Sequence, residues 1–192
     1  MNLASKYSNI ENGKILDWGC GPGRITRHLP DILNDSKIYG TDYNQNTIEW
    51  CKNNINNVEF SKNEIDKNLN FKDDFFDLVI GISIFTHLSE KNHHFWIKEL
   101  HRILEKDAIA IITTAGEVFK QQMTNDEVEK FDENQLVVRA KVKEGHRTYA
   151  AFQPPLFFEK IISNYFEILE HHSGELQSWG LEQDYWVLQA KK

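Results

Sequence analysis

Three glycines at alternate positions separate a short apolar run from a helical pattern in ILDWGCGPGRITRHL, residues 15–29. Glycine has no Cβ, so a ligand can approach the backbone closely where a strand turns through such a loop. The first N–H groups of the following helix are unpaired and would point toward that ligand. The segment therefore predicts a ligand-binding loop, although a tight turn without a ligand is an alternative because one glycine fingerprint is weak evidence.

Strand-length apolar runs alternate with amphipathic helical patterns through the first 114 residues. The predicted strands are residues 14–18, 37–42, 58–60, 76–82 and 108–114, and the predicted helices are residues 24–33, 46–54 and 91–104. Such alternation is typical of an α/β fold around a mostly parallel sheet. A length of 192 residues fits a single domain, residues 1–192.

The pattern changes after residue 114. A capping box at Thr124–Glu127 opens a short helix, and residues 135–152 alternate apolar and polar side chains around Glu144-Gly145. This alternation predicts a hairpin insertion near residues 135–153, with Val138 on an apolar face and Arg139 on a cationic one. A helix over residues 156–164 and strands over 166–170 and 185–190 complete the chain.

Composition limits the class of partner. The net charge of −7 argues against a general binder of nucleic acid or anionic membranes, whose affinity requires clustered Lys and Arg. No secretory leader pattern precedes the first strand, and the longest apolar run is shorter than a bilayer span. Cys20 and Cys51 are too few for a disulfide framework. We therefore expect a cytoplasmic protein that acts on a small molecule.

An acid at the end of the second strand narrows the ligand. Asp42 follows Gly23 by 19 residues, where a carboxylate can accept hydrogen bonds from both hydroxyls of a ribose. Dinucleotide-binding loops have the spacing G-x-G-x-x-G, but here the third glycine comes one residue early and Arg24 occupies its slot. A nicotinamide-dependent oxidoreductase is therefore disfavoured but stays an alternative.

Five segments, in order, resemble the class I S-adenosylmethionine-dependent methyltransferases. They are LDWGCGPGR, YGTDYN, VEFSKNEI, FFDLVIGISIFTHL and FWIKELHRILEKDAIAIITT. The resemblance implies a Rossmann-like three-layer α/β sandwich, with a mostly parallel seven-stranded sheet and an antiparallel last strand. It also implies methyl transfer from S-adenosylmethionine to an oxygen, or a nitrogen, of a small polar acceptor such as a sugar or a phosphorylated metabolite. A non-catalytic module that binds S-adenosylmethionine is a second alternative.

The resemblance also implies roles for individual residues in cofactor binding. Asp17 would lie near the cofactor ammonium group, with a solvated strand-end acid as the alternative, and either Asn63 or Glu64 would face the adenine. The resemblance places Gly19, Gly21 and Gly23 under the methionine part of the cofactor and Ile82 and Ser83 beside that same part. It places Asp42 and Tyr43, in the segment YGTDYN, at the ribose.

His87 is the candidate general base. Transfer to a hydroxyl is helped by a base, and a histidine after the fourth strand lies at the carboxyl edge of the predicted sheet. The alternative is a structural His87 that caps the next helix. His93, His94 and His101 lack the spacing of a zinc site, so we expect a solvated helix face and no metal.

Arg139 and Arg147, on the hairpin insertion, and Asp184, before the last strand, are candidates for binding the acceptor. The cationic insertion would cover the cofactor and bind an anionic acceptor, or it would be a charged edge strand that prevents aggregation. Since few residues precede the first strand, another subunit could contribute to the acceptor pocket, and a homodimer is one expected state.

Overall fold

The computed structural model describes residues 2–7 and 10–192. The strands are β1 (Lys14–Trp18), β2 (Lys37–Asp42), β3 (Val58–Lys62), β4 (Phe76–Gly81), β5 (Leu104–Thr114), β6 (Val137–Arg139), β7 (Ala150–Phe152), β8 (Phe166–His172), β9 (Leu176–Gln177), β10 (Gly180–Leu181) and β11 (Asp184–Ala190). The α-helices are α1 (Asn2–Ser5), α2 (Leu29–Ile32), α3 (Gln45–Asn54), α4 (Glu90–Ile103), α5 (Asn125–Asp132) and α6 (Pro155–Ile162). Short 3₁₀ turns cover Thr26–His28, Phe85–His87 and Glu117–Gln122.

Seven strands form one sheet in the order β3-β2-β1-β4-β5-β11-β8. Strands β1 to β5 pair in parallel, whereas β11 runs antiparallel to both of its neighbours, β5 and β8. The predicted α/β class, the mostly parallel sheet and the antiparallel last strand are confirmed. The strand order reverses between β1 and β4, and such a reversal opens a crevice at the carboxyl ends of the strands.

Helices cover both faces of the sheet. Neighbouring β1 residues point in opposite directions, so that Leu16 packs in the cluster containing Trp96 of α4 while Ile15 packs with Ala4 of α1. Ser89 caps α4 by accepting a hydrogen bond from the backbone N of Asn92. These layers hold the carboxyl ends of β1, β2 and β4 side by side.

The helix predicted over residues 24–33 is wrong in extent. The chain instead forms a 3₁₀ turn and then the four-residue α2, with Pro30 at its start. Proline has no N–H and favours the first turn of a helix, so a continuous helix through this position is disfavoured. The capping box at the start of α5 is confirmed.

The predicted hairpin is shorter than expected and its faces are reversed. Only β6 and β7 pair, with three residues each. Val137 is 3% exposed, beside Phe131 and Phe152, whereas Val138 is 37% exposed. Because Leu136, Val137 and Val138 are all apolar, the sequence is compatible with burial of either Val137 or Val138. Packing against Phe131 and Phe152 buries Val137, whereas the sequence predicted Val138 on the apolar face.

His93 was expected on the polar face of α4 but is fully buried. Its Nδ1 lies 2.8 Å from the carbonyl of Ser89 and its Nε2 lies 3.1 Å from Nε2 of Gln153. Burial lowers the pKa of His93 to about 4.

Among the described helices, none is both long and apolar enough to cross a membrane.

Candidate active site

The glycine loop after β1 is held against the end of β2. The backbone N–H groups of Gly19 and Cys20 donate to the carbonyl of Thr41 at 2.8 and 2.9 Å. All three glycines have positive φ angles, between 50° and 74°, which side chains with a Cβ rarely adopt. A Cβ on Gly21 would meet no described atom within 4 Å, so the loop presents an open backbone surface there.

The other two glycines serve packing as well as conformation. A Cβ on Gly19 would lie 2.1 Å from Cδ1 of Ile84, and one on Gly23 would lie 2.3 Å from Cδ1 of Ile55. Gly23 is buried between the loop and the end of α3. A larger residue at position 23 would therefore clash with Ile55.

Asp42 links the loop to the turn before α3. Its Oδ2 accepts from the backbone N of Gly21 at 3.0 Å, and its Oδ1 accepts from the backbone N of Asn44 at 2.8 Å. Partial burial raises the pKa of Asp42, while these two N–H groups oppose the rise. Because a carboxylate oxygen can accept more than one hydrogen bond, both oxygens retain capacity for hydroxyl donors.

A cleft with about 440 Å³ of empty space, open to solvent, lies beside Asp42. The cleft brings together five predicted residues, which are Gly19, Asp42, Tyr43, Asn63 and His87. Sequence reasoning missed the other lining residues, which are Trp18, Ile65, Ile84, Leu88, Trp96 and Gly145.

Asn63 and Glu64 differ in their surroundings. Asn63 lines the cleft, and its buried Oδ1 has no hydrogen-bond partner within the described part of the chain. The backbone N of Asn63 donates to the carbonyl of Asp42 at 3.0 Å, and this bond holds Asn63 beside the end of β2. Glu64 is exposed and pairs with Lys62 at 3.0 Å. Of the two alternatives, the structure brings Asn63 to the cleft.

A second cleft, which shares Gly19 with the first, contains Asp17, Gly21 and Ile82. Asp17 is only 3% exposed and accepts a hydrogen bond from the hydroxyl of Thr26, so it is not a solvated acid. Burial raises the pKa of Asp17 to about 6, although the bond from Thr26 opposes the rise. A cationic group in this cleft would favour the charged carboxylate.

Ser83 follows β4 with a positive φ of 63°. Its backbone N donates to Oγ1 of Thr113 at 2.8 Å, and its hydroxyl donates to Oε1 of Gln183 at 2.8 Å. These bonds connect the end of β4 to the segment before β11. The hydroxyl of Ser83 is therefore engaged by protein.

His87 lies in the 3₁₀ turn after β4, at the wall of the cleft beside Asp42. Its Nδ1 is 2.7 Å from the carbonyl oxygen of Tyr149. A carbonyl can only accept, so Nδ1 carries the proton in the neutral ring and Nε2 has a free lone pair. No described residue bonds Nε2. The imidazole is thus oriented with its basic nitrogen unpaired.

Residues 140–149, which connect β6 to β7 and are called the arm, pack against the cleft. The backbone N of Gly145 donates to the carbonyl of His87 at 3.0 Å. A Cβ on Gly145 would lie 2.9 Å from Cδ1 of Ile65 and 3.6 Å from Cε1 of Tyr43. The sequence indicated a turn at Gly145, but the residues that it would touch are distant along the chain.

Two of the three predicted acceptor-binding residues are engaged elsewhere. Arg139 donates to both carboxylate oxygens of Glu127 at 2.8 and 2.6 Å. Asp184 is fully buried and accepts from the backbone N of Gly174 at 3.0 Å, with Nε2 of His171 also at 3.0 Å. These bonds argue against acceptor roles for Arg139 and Asp184, whose charges already have partners. Arg147 is exposed on the arm.

Comparison with known sequences supports a methyltransferase domain. Residues 15–107 match the family model described as a methyltransferase domain. Malonyl-[acyl-carrier protein] O-methyltransferase of Bacillus cytotoxicus is 26% identical over 154 residues, which cover 79% of this chain and 52% of the relative. Ubiquinone biosynthesis O-methyltransferase of Rickettsia bellii is 26% identical over 196 residues, which cover 97% and 73% respectively. The chain spans about half the length of the malonyl-[acyl-carrier protein] relatives that it matches.

Solved structures share the fold. A methyltransferase dependent on S-adenosylmethionine from Methanosarcina mazei has a TM-score of 0.76 and 18% identity, with 100% of this chain and 97% of that chain covered. A protein of Pyrococcus horikoshii has a TM-score of 0.71 and 23% identity, with 100% and 87% covered. The matched domain and this shared architecture together support the class I S-adenosylmethionine-dependent methyltransferase that the five sequence segments predict.

Proposed function

We propose that this protein transfers a methyl group from S-adenosylmethionine to an oxygen of a small polar acceptor, with His87 as the general base. The observation that carries the proposal is one cleft lined by both the cofactor motifs and His87. Asp42 and Asn63 come from the sequence motifs that predict cofactor binding, and His87 presents an Nε2 that no described residue bonds. Both named relatives described above are O-methyltransferases, which favours oxygen over nitrogen.

The residues present fit the cofactor. The open backbone at Gly21 leaves room for close approach, and both oxygens of Asp42 can accept from ribose hydroxyls. The unpartnered Oδ1 of Asn63 is a suitable acceptor for the amino group of adenine. The buried carboxyl of Asp17 is suited to a cationic ammonium group. When bound, the cofactor supplies a methyl group that its sulfonium makes electrophilic.

The chain's own contribution is alignment and proton removal. Apolar walls formed by Trp18, Ile84 and Leu88 limit the orientations that the acceptor can adopt in the cleft. Nε2 of His87 accepts the proton of an acceptor hydroxyl, while the Tyr149 carbonyl holds the ring through Nδ1. A carboxylate acceptor has no proton to lose, so its methylation would not need His87.

The arm favours an anionic acceptor such as a sugar acid or a phosphorylated metabolite. Lys141, Lys143 and Arg147 are exposed on the arm, whose Gly145 lines the cleft. The chain as a whole carries a net charge of −7, so this local excess of cations opposes the overall balance. Cationic side chains close in sequence to a residue that lines a cleft can attract phosphate or carboxylate groups from solution toward it.

Turnover by His87→Ala tests the proposal. Transfer of labelled methyl groups would be measured with a panel of sugar phosphates, phenols and carboxylates, beside titration with S-adenosylhomocysteine. We expect kcat for hydroxyl acceptors to fall by about 10²- to 10⁴-fold, the usual contribution of a general base, with cofactor affinity unchanged. His94→Ala, which removes an exposed imidazole of α4, is the matched control and should retain turnover.

Full turnover of hydroxyl acceptors by His87→Ala, with unchanged cofactor affinity, would remove His87 from the mechanism. Binding of S-adenosylhomocysteine by the wild-type protein without transfer to any acceptor would instead favour the non-catalytic module.

A further inference from the structure

Glu144 anchors the arm to the start of α4. Its Oε1 accepts hydrogen bonds from the backbone N of Ser89 and, at 2.9 Å, from Nδ2 of Asn92. Ser89 is the N-cap of α4, where backbone N–H groups lack helical partners and the helix dipole favours a negative charge. The half-buried carboxylate of Glu144 is therefore well placed to hold this point of the arm.

The residues that follow Glu144 hold His87 from two directions. The backbone N of Gly145 donates to the carbonyl of His87 at 3.0 Å. Nδ1 of His87 donates to the carbonyl of Tyr149 at 2.7 Å, and Tyr149 itself is 4% exposed. The ring orientation and the proton position of His87 thus depend on where the arm lies.

We propose that Glu144 is a positioning residue that fixes the Nδ1–H tautomer of His87 by docking the arm on α4. This inference rests on the proposed function for its catalytic consequence, but the tautomer can be measured without turnover. A neutral imidazole released from the Tyr149 carbonyl exchanges its proton between both nitrogens. Molecules with the proton on Nε2 have no lone pair there, so they cannot accept a proton from the acceptor.

The experiment is ¹⁵N NMR of the histidine side chains together with steady-state kinetics. In the wild-type protein we expect His87 as the Nδ1–H tautomer. Glu144→Ala should give a tautomer mixture and a fall of about tenfold in kcat, since small displacements of a catalytic group can cost up to about 10²-fold. Glu144→Gln keeps an acceptor oxygen and should restore most of the wild-type behaviour. Glu129→Ala removes an exposed acid of α5 and is the matched control.

Gly145→Ala provides a second route to the same effect if Glu144→Ala folds poorly. Its φ of 82° and the close approach to Ile65 make a Cβ unfavourable there, so the arm should move while Glu144 is retained. An unchanged Nδ1–H tautomer in both Glu144→Ala and Gly145→Ala would overturn the proposal. A changed tautomer with unchanged kcat would support the positioning contact and overturn the role of His87 as base.

Discussion

The residues proposed to bind the cofactor and the base proposed to face the acceptor are held in place by different kinds of contact. Gly21, Asp42 and Asn63, which we propose bind the cofactor, lie at or just after the ends of adjacent parallel strands, and the backbone N–H groups of Gly21 and Asn63 both donate to Asp42. His87, the proposed base, is held by Tyr149, which is 62 residues away along the chain. Local spacing therefore determines the first set of residues, whereas tertiary packing determines the second.

The largest effect that would test this comparison is expected from Asp42→Ala. Loss of the carboxylate removes hydrogen bonds to a charged group, worth about 1.5–3 kcal/mol, so affinity for S-adenosylhomocysteine should fall by about 10- to 100-fold. Calorimetric titration measures the change, with exposed Asp31→Ala of α2 as the matched control. Equal affinity in Asp42→Ala and the wild-type protein would show that the end of β2 does not hold the ribose.

A smaller effect separates Asn63 from Glu64. Asn63→Ala removes the buried Oδ1 that the adenine amino group would use, and we expect affinity for S-adenosylhomocysteine to fall about fivefold. Glu64→Ala should leave that affinity unchanged because Glu64 is exposed and paired with Lys62. Calorimetric titration of both variants with S-adenosylhomocysteine measures these affinities. Weaker binding by Glu64→Ala with unchanged binding by Asn63→Ala would assign the adenine contact to Glu64.

The smallest effect concerns the two arginines of the insertion. Arg147→Ala should raise the acceptor's KM by about two- to fivefold, the size expected of an exposed ion pair, and leave the melting temperature unchanged. Arg139→Ala should instead lower stability by about 1 kcal/mol, because Arg139 pairs with Glu127 and lies over the ring of Phe152. Acceptor kinetics and thermal unfolding of both variants test the contrast. A raised KM in Arg139→Ala alone would reverse these assignments.

The same contrast explains what could be predicted from the sequence. The bounds of β1 and β2 were predicted without error, since apolar runs and the glycine loop mark them. The approach of Asp42 to Gly21 follows from the parallel pairing of those strands. The sequence offered a covering insertion as one alternative, but it could not identify the residues on which Gly145 packs, because the turn carries no signal for the distant Ile65 and Tyr43.

Charge on the insertion was similarly ambiguous in the sequence. Arg139 and Arg147 looked alike as cationic residues near one turn, yet α5 supplies Glu127 as a partner for only one of them. Asp184 at the start of a strand resembled a site residue, but its burial and its bond from the backbone N of Gly174 depend on the hairpin of β9 and β10. Pairing of this kind is decided by tertiary structure.

The measurement that tests the central claim most directly is calorimetric titration of the wild-type protein with S-adenosylhomocysteine and, separately, with NAD. We expect binding of S-adenosylhomocysteine in the micromolar range and no binding of NAD, since the spacing of Gly19, Gly21 and Gly23 differs from that of dinucleotide-binding loops. Binding of NAD without binding of S-adenosylhomocysteine would contradict the account and favour an oxidoreductase.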